Sequence, residues 1–133
     1  MTKKITIIKI RRAEEGNVNR DLQWLGNSLG LFNLRDKDSS CFRVFISLVR
    51  KAKGNDVQAI SSDEIAEKLN LSRGTVVHHL SKLMDSGLIV REKEGYILRE
   101  NSLQRVIKDV ESDVESFFSE LMEVAKEIDE KLD

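Results

Sequence analysis

The stretch "SRGTVVHHLSKLMDSGLI", Ser72 to Ile89, decides how this chain is read. Ser72 suits the cap of a helix, because its hydroxyl can accept from a backbone N–H of the first turn. Val76, Leu80, Leu83 and Met84 recur at helical spacing and predict a narrow buried stripe. The helix is expected to end near Ser86, where Gly87 is free to adopt a left-handed conformation. Ser72, Arg73, Thr75, His79 and Lys82 then spread over the outward side, with His78 at its margin. Such a face both donates and accepts hydrogen bonds, which asks for a polar partner.

Working upstream, "NLS" (Asn70–Ser72) reads as a three-residue turn. Before it, "SSDEIAEKL" (Ser61–Leu69) carries a capping-box pattern, in which Ser61 bonds the amide of Glu64 and Glu64 reaches back to Ser61. Ile65, Ala66 and Leu69 make its inward face. "VQAI" (Val57–Ile60) is expected to form a short strand, after a break at "KGND". A stronger helix, "SSCFRVFISLVRKA" (Ser39–Ala52), precedes that break, capped by Ser39 or Ser40 and striped by Phe42, Phe45, Ile46, Val49 and Ala52. Downstream, "LIVREKEGYILR" (Leu88–Arg99) is two β-rich runs about a Lys93–Glu94–Gly95 tip, a hairpin.

Helix, short strand, helix, tight turn, helix, hairpin is the order of a winged helix-turn-helix. The fold class expected is mainly α with a small β-hairpin wing (α+β). The stretch Ile60–Arg99 resembles the DNA-binding core of winged-helix transcription regulators. It is most similar to the arsenical-resistance-repressor-like (ArsR-like) family, which shares a Ser/Thr-rich helix start, a His-Leu pair and a terminal Gly-Leu-Ile/Val. The resemblance implies that double-stranded DNA is the partner and that Ser72–Ser86 is a recognition helix lying in the major groove, with the wing Leu88–Arg99 alongside. It also places His79 at the family's recurring histidine, near a helix–helix contact, and His78 at a more variable, groove-facing position.

The chemistry of the residues fits that partner. The major groove, about 12 Å wide, admits the end of a helix, where side chains meet base edges. Arg73 can bond guanine O6 and N7 together, or clamp a phosphate; both roles stay open. Gly74 either lets the backbone approach DNA closely or is simply tolerated at a helix start. Thr75 offers a hydroxyl and a methyl, while Lys82, two turns on, suits a phosphate. Arg91 and Lys93, with Arg99 on the return strand, either lie along the DNA backbone or decorate a solvated hairpin. Glu92 and Glu94 weaken the first reading.

The two ends of the chain flank this core. "KKITIIKIRR" (Lys3–Arg12) reads as a strand, with Ile5, Ile7 and Ile10 near period two. Lys3, Lys4, Lys9, Arg11 and Arg12 either add phosphate contacts or protect an edge strand. "EEGN" (Glu14–Asn17) is a turn, and a helix follows with Val18, Leu22, Leu25 and Leu29 as its stripe, Gly30 at its end and Trp24 off the stripe. At the other end Leu103, Ile107, Val110, Val114, Phe117, Leu121, Val124 and Ile128 are spaced by four and three without a break. That heptad seam, widened by Phe118, Ala125 and Leu132, predicts a helix too long to hide on so small a domain. It is expected to pair with its copy in a homodimer and also to touch the body; the alternative is a long helix lying across its own domain. Asp113, Glu120 and Glu127 leave parallel and antiparallel pairing equally open. Residues 1–36 thus form an N-terminal strand and helix extension, 37–100 the winged helix-turn-helix domain, and 101–133 a coiled-coil-like dimerisation helix.

Composition narrows the function. The net charge of -1 conceals an asymmetry: 7 Lys+Arg against 4 Asp+Glu in residues 1–36, 11 against 9 in 37–100, and 4 against 10 in 101–133. Charge is sorted along the chain into a mildly basic body and an acidic tail, and such a tail equally suits solubility alone. No apolar run approaches a bilayer span, and the basic start is too interrupted for a signal peptide, so a cytoplasmic protein is expected with no membrane partner. His78 and His79 point about 100° apart on a helix and suit no common metal ion. "DEIAEKL" lacks the cysteine pair of metal-sensing relatives, and the terminal helix lacks histidine. No metal or other cofactor is therefore expected, and no phosphate loop or nucleophile–base pair asks for an enzyme. Cys41, at a helix start, is either a redox-sensitive thiol or a buried core residue. The function expected is a homodimeric, sequence-specific DNA-binding transcriptional regulator, acting as a repressor through promoter occupancy. The alternative is a winged-helix module that binds protein instead of DNA.

Overall fold

The computed structural model describes residues 3–12, 16–32, 39–53 and 58–133. Five helices and one two-stranded antiparallel hairpin occur among them. The order is α1 (Val18–Ser28), α2 (Ser40–Ala52), α3 (Ser62–Leu69), α4 (Arg73–Asp85), β1 (Ile89–Glu92), β2 (Gly95–Leu98) and α5 (Leu103–Leu132). The mainly helical class, the wing and the long terminal helix are as the sequence predicts.

One apolar core unites these elements. Helix α2 runs through its middle, burying Cys41, Val44, Phe45, Leu48, Val49 and Ala52. Its buried side is therefore broader than the expected stripe, and Phe42 and Ile46 lie only partly covered. The reason is position: α1, α3, α4 and β2 all pack on α2, so no side of it is left wholly to water. Ile65 of α3 and Val76, Leu80 and Leu83 of α4 close the core from one direction. Leu22 and Leu31, at either end of the α1 region, and Val106 and Val110 of α5 belong to the same cluster. Gly26 makes room on α1 for the Phe32 ring, since a Cβ there would lie 1.9 Å from it.

The caps explain the helix starts. Asn17, Ser61, Ser72 and Ser102 each accept a backbone N–H three residues on, which satisfies one orphan donor apiece. Ser39 differs from expectation. It sits in the left-handed region at φ 50° and its side chain makes no capping bond.

Two strand expectations change. The "VQAI" strand shrinks to a single antiparallel bridge, in which Ile60 and Tyr96 exchange both backbone bonds at 2.9 and 2.8 Å; Val57 lies outside the described residues. Gly95 (φ +148°) permits this approach, because a Cβ would fall 2.3 Å from the Ile60 carbonyl oxygen. The N-terminal stretch forms no strand, having no strand edge beside it to pair with. It lies instead across two helix ends, bonding Asp85 O through Lys4 N (2.9 Å) and Ser28 O through Ile8 N (2.7 Å). Ile5 packs on the core while Ile7, Ile8 and Ile10 stay exposed. Trp24 holds this segment down, donating from Nε1 to Ile10 O at 3.1 Å beneath the Arg12 guanidinium. Half of the predicted turn at Glu14–Asn17, most of "KGND" and the proposed boundary near residue 36 lie outside the described residues.

Candidate nucleic-acid interface

Helix α4 owes its position to its inward stripe. With Val76, Leu80 and Leu83 fully buried, the 100° turn per residue sends a second set of side chains outward. The exposed set is Arg73, Gly74, Val77, His78, Ser81 and Asp85. The first turn stands clearest of the body. Nothing lies within 4 Å of where a Cβ on Gly74 would be. Ser72 fixes the start, accepting from Thr75 N at 3.1 Å and donating its own proton to Thr75 Oγ1 at 2.7 Å. Thr75 is half-buried as a result.

This differs from the outward face read off the sequence at three residues. His78 is fully on the exposed side, not at its margin. His79 turns toward the body, where its Nε2 lies 2.7 Å from Ser40 Oγ at the start of α2, near a helix–helix contact as the family resemblance implies. Lys82 is also drawn inward, donating from Nζ to Leu31 O at 2.8 Å. The angle decides the two histidines, whereas Lys82 starts on the outward side and is drawn in by its long side chain reaching the Leu31 carbonyl. From the mean direction of the buried stripe His78 is nearly opposite, whereas His79 is well under a right angle away. For the histidines simple helical arithmetic on Val76, Leu80 and Leu83 was the available signal, and it also points to Ser81; exposed Val77 lies at the flank.

Arg73 has a partner on the preceding helix. Its Nε lies 3.3 Å from Asp63 Oδ1 on the first turn of α3, and both side chains are about seven-tenths exposed. Such an exposed pair contributes little to stability. It leaves the guanidinium within reach of a stronger anionic partner.

The wing stands beside α4. Arg91 and Lys93 are exposed, and the Arg91 guanidinium lies 5.7 Å from the centre of the Tyr96 ring. Arg99, grouped with them in the sequence, points elsewhere. Its guanidinium turns onto α5, 2.7 Å from Asp113 and 3.4 Å from Asp109. Donating to Asp113 raises the Arg99 pKa above its ordinary value, and accepting from Arg99 holds the Asp113 carboxyl below the usual carboxylate range. Glu100, which shares a hydrogen bond with Asp109, is pushed up.

Helix α5 divides in two. Leu103, Val106, Val110 and Val114 pack on the core, so Val110, expected on a seam between subunits, is buried within its own chain. Ile107 lies half-buried on the opposite edge, beside Gln104 and Glu111 in a shallow groove. From Glu115 onward every residue is exposed. Phe117, Phe118, Leu121, Val124 and Ile128 form an apolar stripe, each between 45% and 58% exposed. Cys41 is 2% exposed, inside the core. Among the described residues no three His, Cys, Asp or Glu side chains converge as a metal site would require.

Helix, turn, helix and wing, with one clear polar face, define a segment that can be compared directly with known families. Residues 60–90, which cover α3, α4 and the first residues of the wing, match the family model described as bacterial regulatory protein, arsR family. The chain carries an ArsR-like winged helix-turn-helix. At that level it is a DNA-binding transcriptional regulator. Comparisons with curated proteins and with solved structures give no match. No helix among the described residues is long and apolar enough to cross a membrane.

Proposed function

We propose that the ArsR-like chain acts as a homodimeric, sequence-specific repressor in the cytoplasm. The first two turns of α4 enter the major groove, with Ser72, Arg73, Gly74, Thr75 and His78 as the reading surface and Val77 and Ser81 beside them. Arg91 and Lys93 on the wing follow the adjoining phosphates. His79 and Lys82 support the helix from its body side. The observation that carries this reading is the clearance around Gly74 and Arg73, which leaves the helix start open to something as wide as a duplex.

Pairing of α5 with its copy brings in a second reading head. An apolar stripe of at least three turns, on the order of 16 Å long, is costly to leave in water and matches itself across a two-fold axis. Two such heads read half-sites about 34 Å apart. Occupied promoter DNA is then closed to transcription. We assign residues 1–36 as an N-terminal extension, 37–100 as the reading domain and 101–133 as the pairing helix.

Selection of binding sites from random duplex, followed by sequencing, tests this directly. A pseudo-palindromic consensus is the expected outcome. No retention of random duplex at micromolar protein and low salt would favour the protein-binding alternative, to which the acidic α5 and the wing carboxylates Glu92 and Glu94 are better suited.

A further inference from the structure

Helix α5 meets the reading domain through two kinds of contact. Leu103, Val106, Val110 and Val114 supply apolar packing, which is non-directional and tolerates small changes of angle. The directional contact is Arg99. It follows β2 immediately, and its backbone N bonds Leu88 O at 3.0 Å, so its Cα is fixed to the start of the wing. Its Nη1 donates to Asp113 Oδ2 at 2.7 Å and to Gly87 O at 3.3 Å. Its Nη2 reaches Asp113 Oδ1 at 3.4 Å, and its Nε lies 3.4 Å from Asp109 Oδ2. Asp109 and Asp113 are one helical turn apart, so a single planar fork grips α5 at two levels while holding the glycine that ends α4. Lys3 adds a second cation to Asp113 at 2.9 Å, bringing in the N-terminal segment.

We propose that Arg99 is the positioning residue that sets the angle between α5 and the reading domain, and through it the half-site spacing that the dimer accepts; the second clause rests on the paired-half-site reading above. Among the described residues every one of α5 from Glu115 onward is exposed, so any play at this joint is carried to the partner. A tilt of about 10° over a lever of roughly 20 Å displaces the reading helix by about 3.5 Å, the rise of one base pair. An apolar seam alone holds no such tolerance, whereas a guanidinium fork with fixed donor directions does.

Two conservative variants test the joint. Arg99→Lys keeps the charge and loses the fork; Asp113→Asn keeps the shape and loses the charge. The first measurement needs neither DNA nor a dimer. Spin labels at Glu94→Cys on the wing and Lys126→Cys on α5 report a distance distribution by pulsed electron paramagnetic resonance, with labelled chains diluted in unlabelled protein; Cys41 is buried out of the label's reach. A narrow distribution in the parent that broadens in both variants is expected. Equal widths overturn the proposal. The second measurement titrates duplexes whose half-sites stand at the selected spacing and one base pair to either side. The parent is expected to prefer its spacing by about 10-fold and the variants by about 2-fold or less, with base preference inside each half-site unchanged. Affinity lost equally at all spacings is a plain stability effect and overturns the spacing clause. If the parent binds no duplex, the regulator reading fails and the spacing clause with it, while the label widths still decide the joint.

Discussion

Helices α4 and α5 each turn a face to water, and the two faces are opposite in kind. That of α4 is polar, short and held rigidly by fully buried residues beneath it. That of α5 is apolar, long and unsupported from Glu115 onward. A polar face is at ease in water until an anion displaces it, so it marks where a ligand arrives. An apolar face of this length is a standing cost that association removes. In the proposed function the first serves recognition and the second assembly. The largest expected effect tests the second: Leu121→Asp places a charge in the middle of the stripe and should weaken self-association by about 100-fold or more, about 2.7 kcal/mol. Sedimentation across a concentration series measures it. An unchanged dimer would mean that the stripe is covered by something other than its copy.

The matching change on α4 is smaller. Arg73→Ala should weaken binding to the selected site by about 1–3 kcal/mol and relax one base position, without altering the oligomeric state. Loss of affinity on every sequence alike would identify Arg73 as a phosphate clamp. Together the two variants break the comparison cleanly if assembly and recognition prove inseparable.

Much of this was legible in the sequence because it rests on short-range rules. Caps at Ser61 and Ser72, the left-handed Gly87 (φ +78°) and the hairpin tip need only local chemistry, and each stands where expected. What depended on distant partners was not legible. The isoleucines of Lys3–Arg12 alternate as a strand does, yet a strand exists only where a neighbouring edge accepts it. Heptad spacing in α5 is real, yet periodicity does not reveal that Val110 would be consumed by its own core. Arg99 read as one more cation on the wing, because nothing local announces that Asp109 and Asp113 stand opposite it.

The shoulders of α4 sharpen the contrast further. His79 and Lys82 contact Ser40 and Leu31, so in the proposed function they support the reading face from its body side. His79→Ala and Lys82→Ala should each lower folding stability by about 1 kcal/mol in denaturant titration. The slope of affinity against salt should stay unchanged for Lys82→Ala, where loss of a phosphate contact would reduce it by about one unit. His78→Ala, one residue from His79, should leave stability unaltered and change only binding.

The smallest effect concerns the joint between the two helices. Asp113 is held below the ordinary carboxylate range by Arg99, with Lys3 assisting, so it binds protons less readily folded than unfolded. The stability it contributes is therefore present above the unfolded value, near pH 4, and is lost as pH falls through the lower folded value. Arg99 stays charged throughout, its own pKa being raised. The stability difference between the parent and Asp113→Asn should accordingly be flat from pH 5 to pH 8, at about 1 kcal/mol or less for a pair that is partly open to solvent. Below pH 4 it should shrink toward zero. A difference that already falls between pH 7 and pH 5 would show that the carboxyl titrates above its ordinary range.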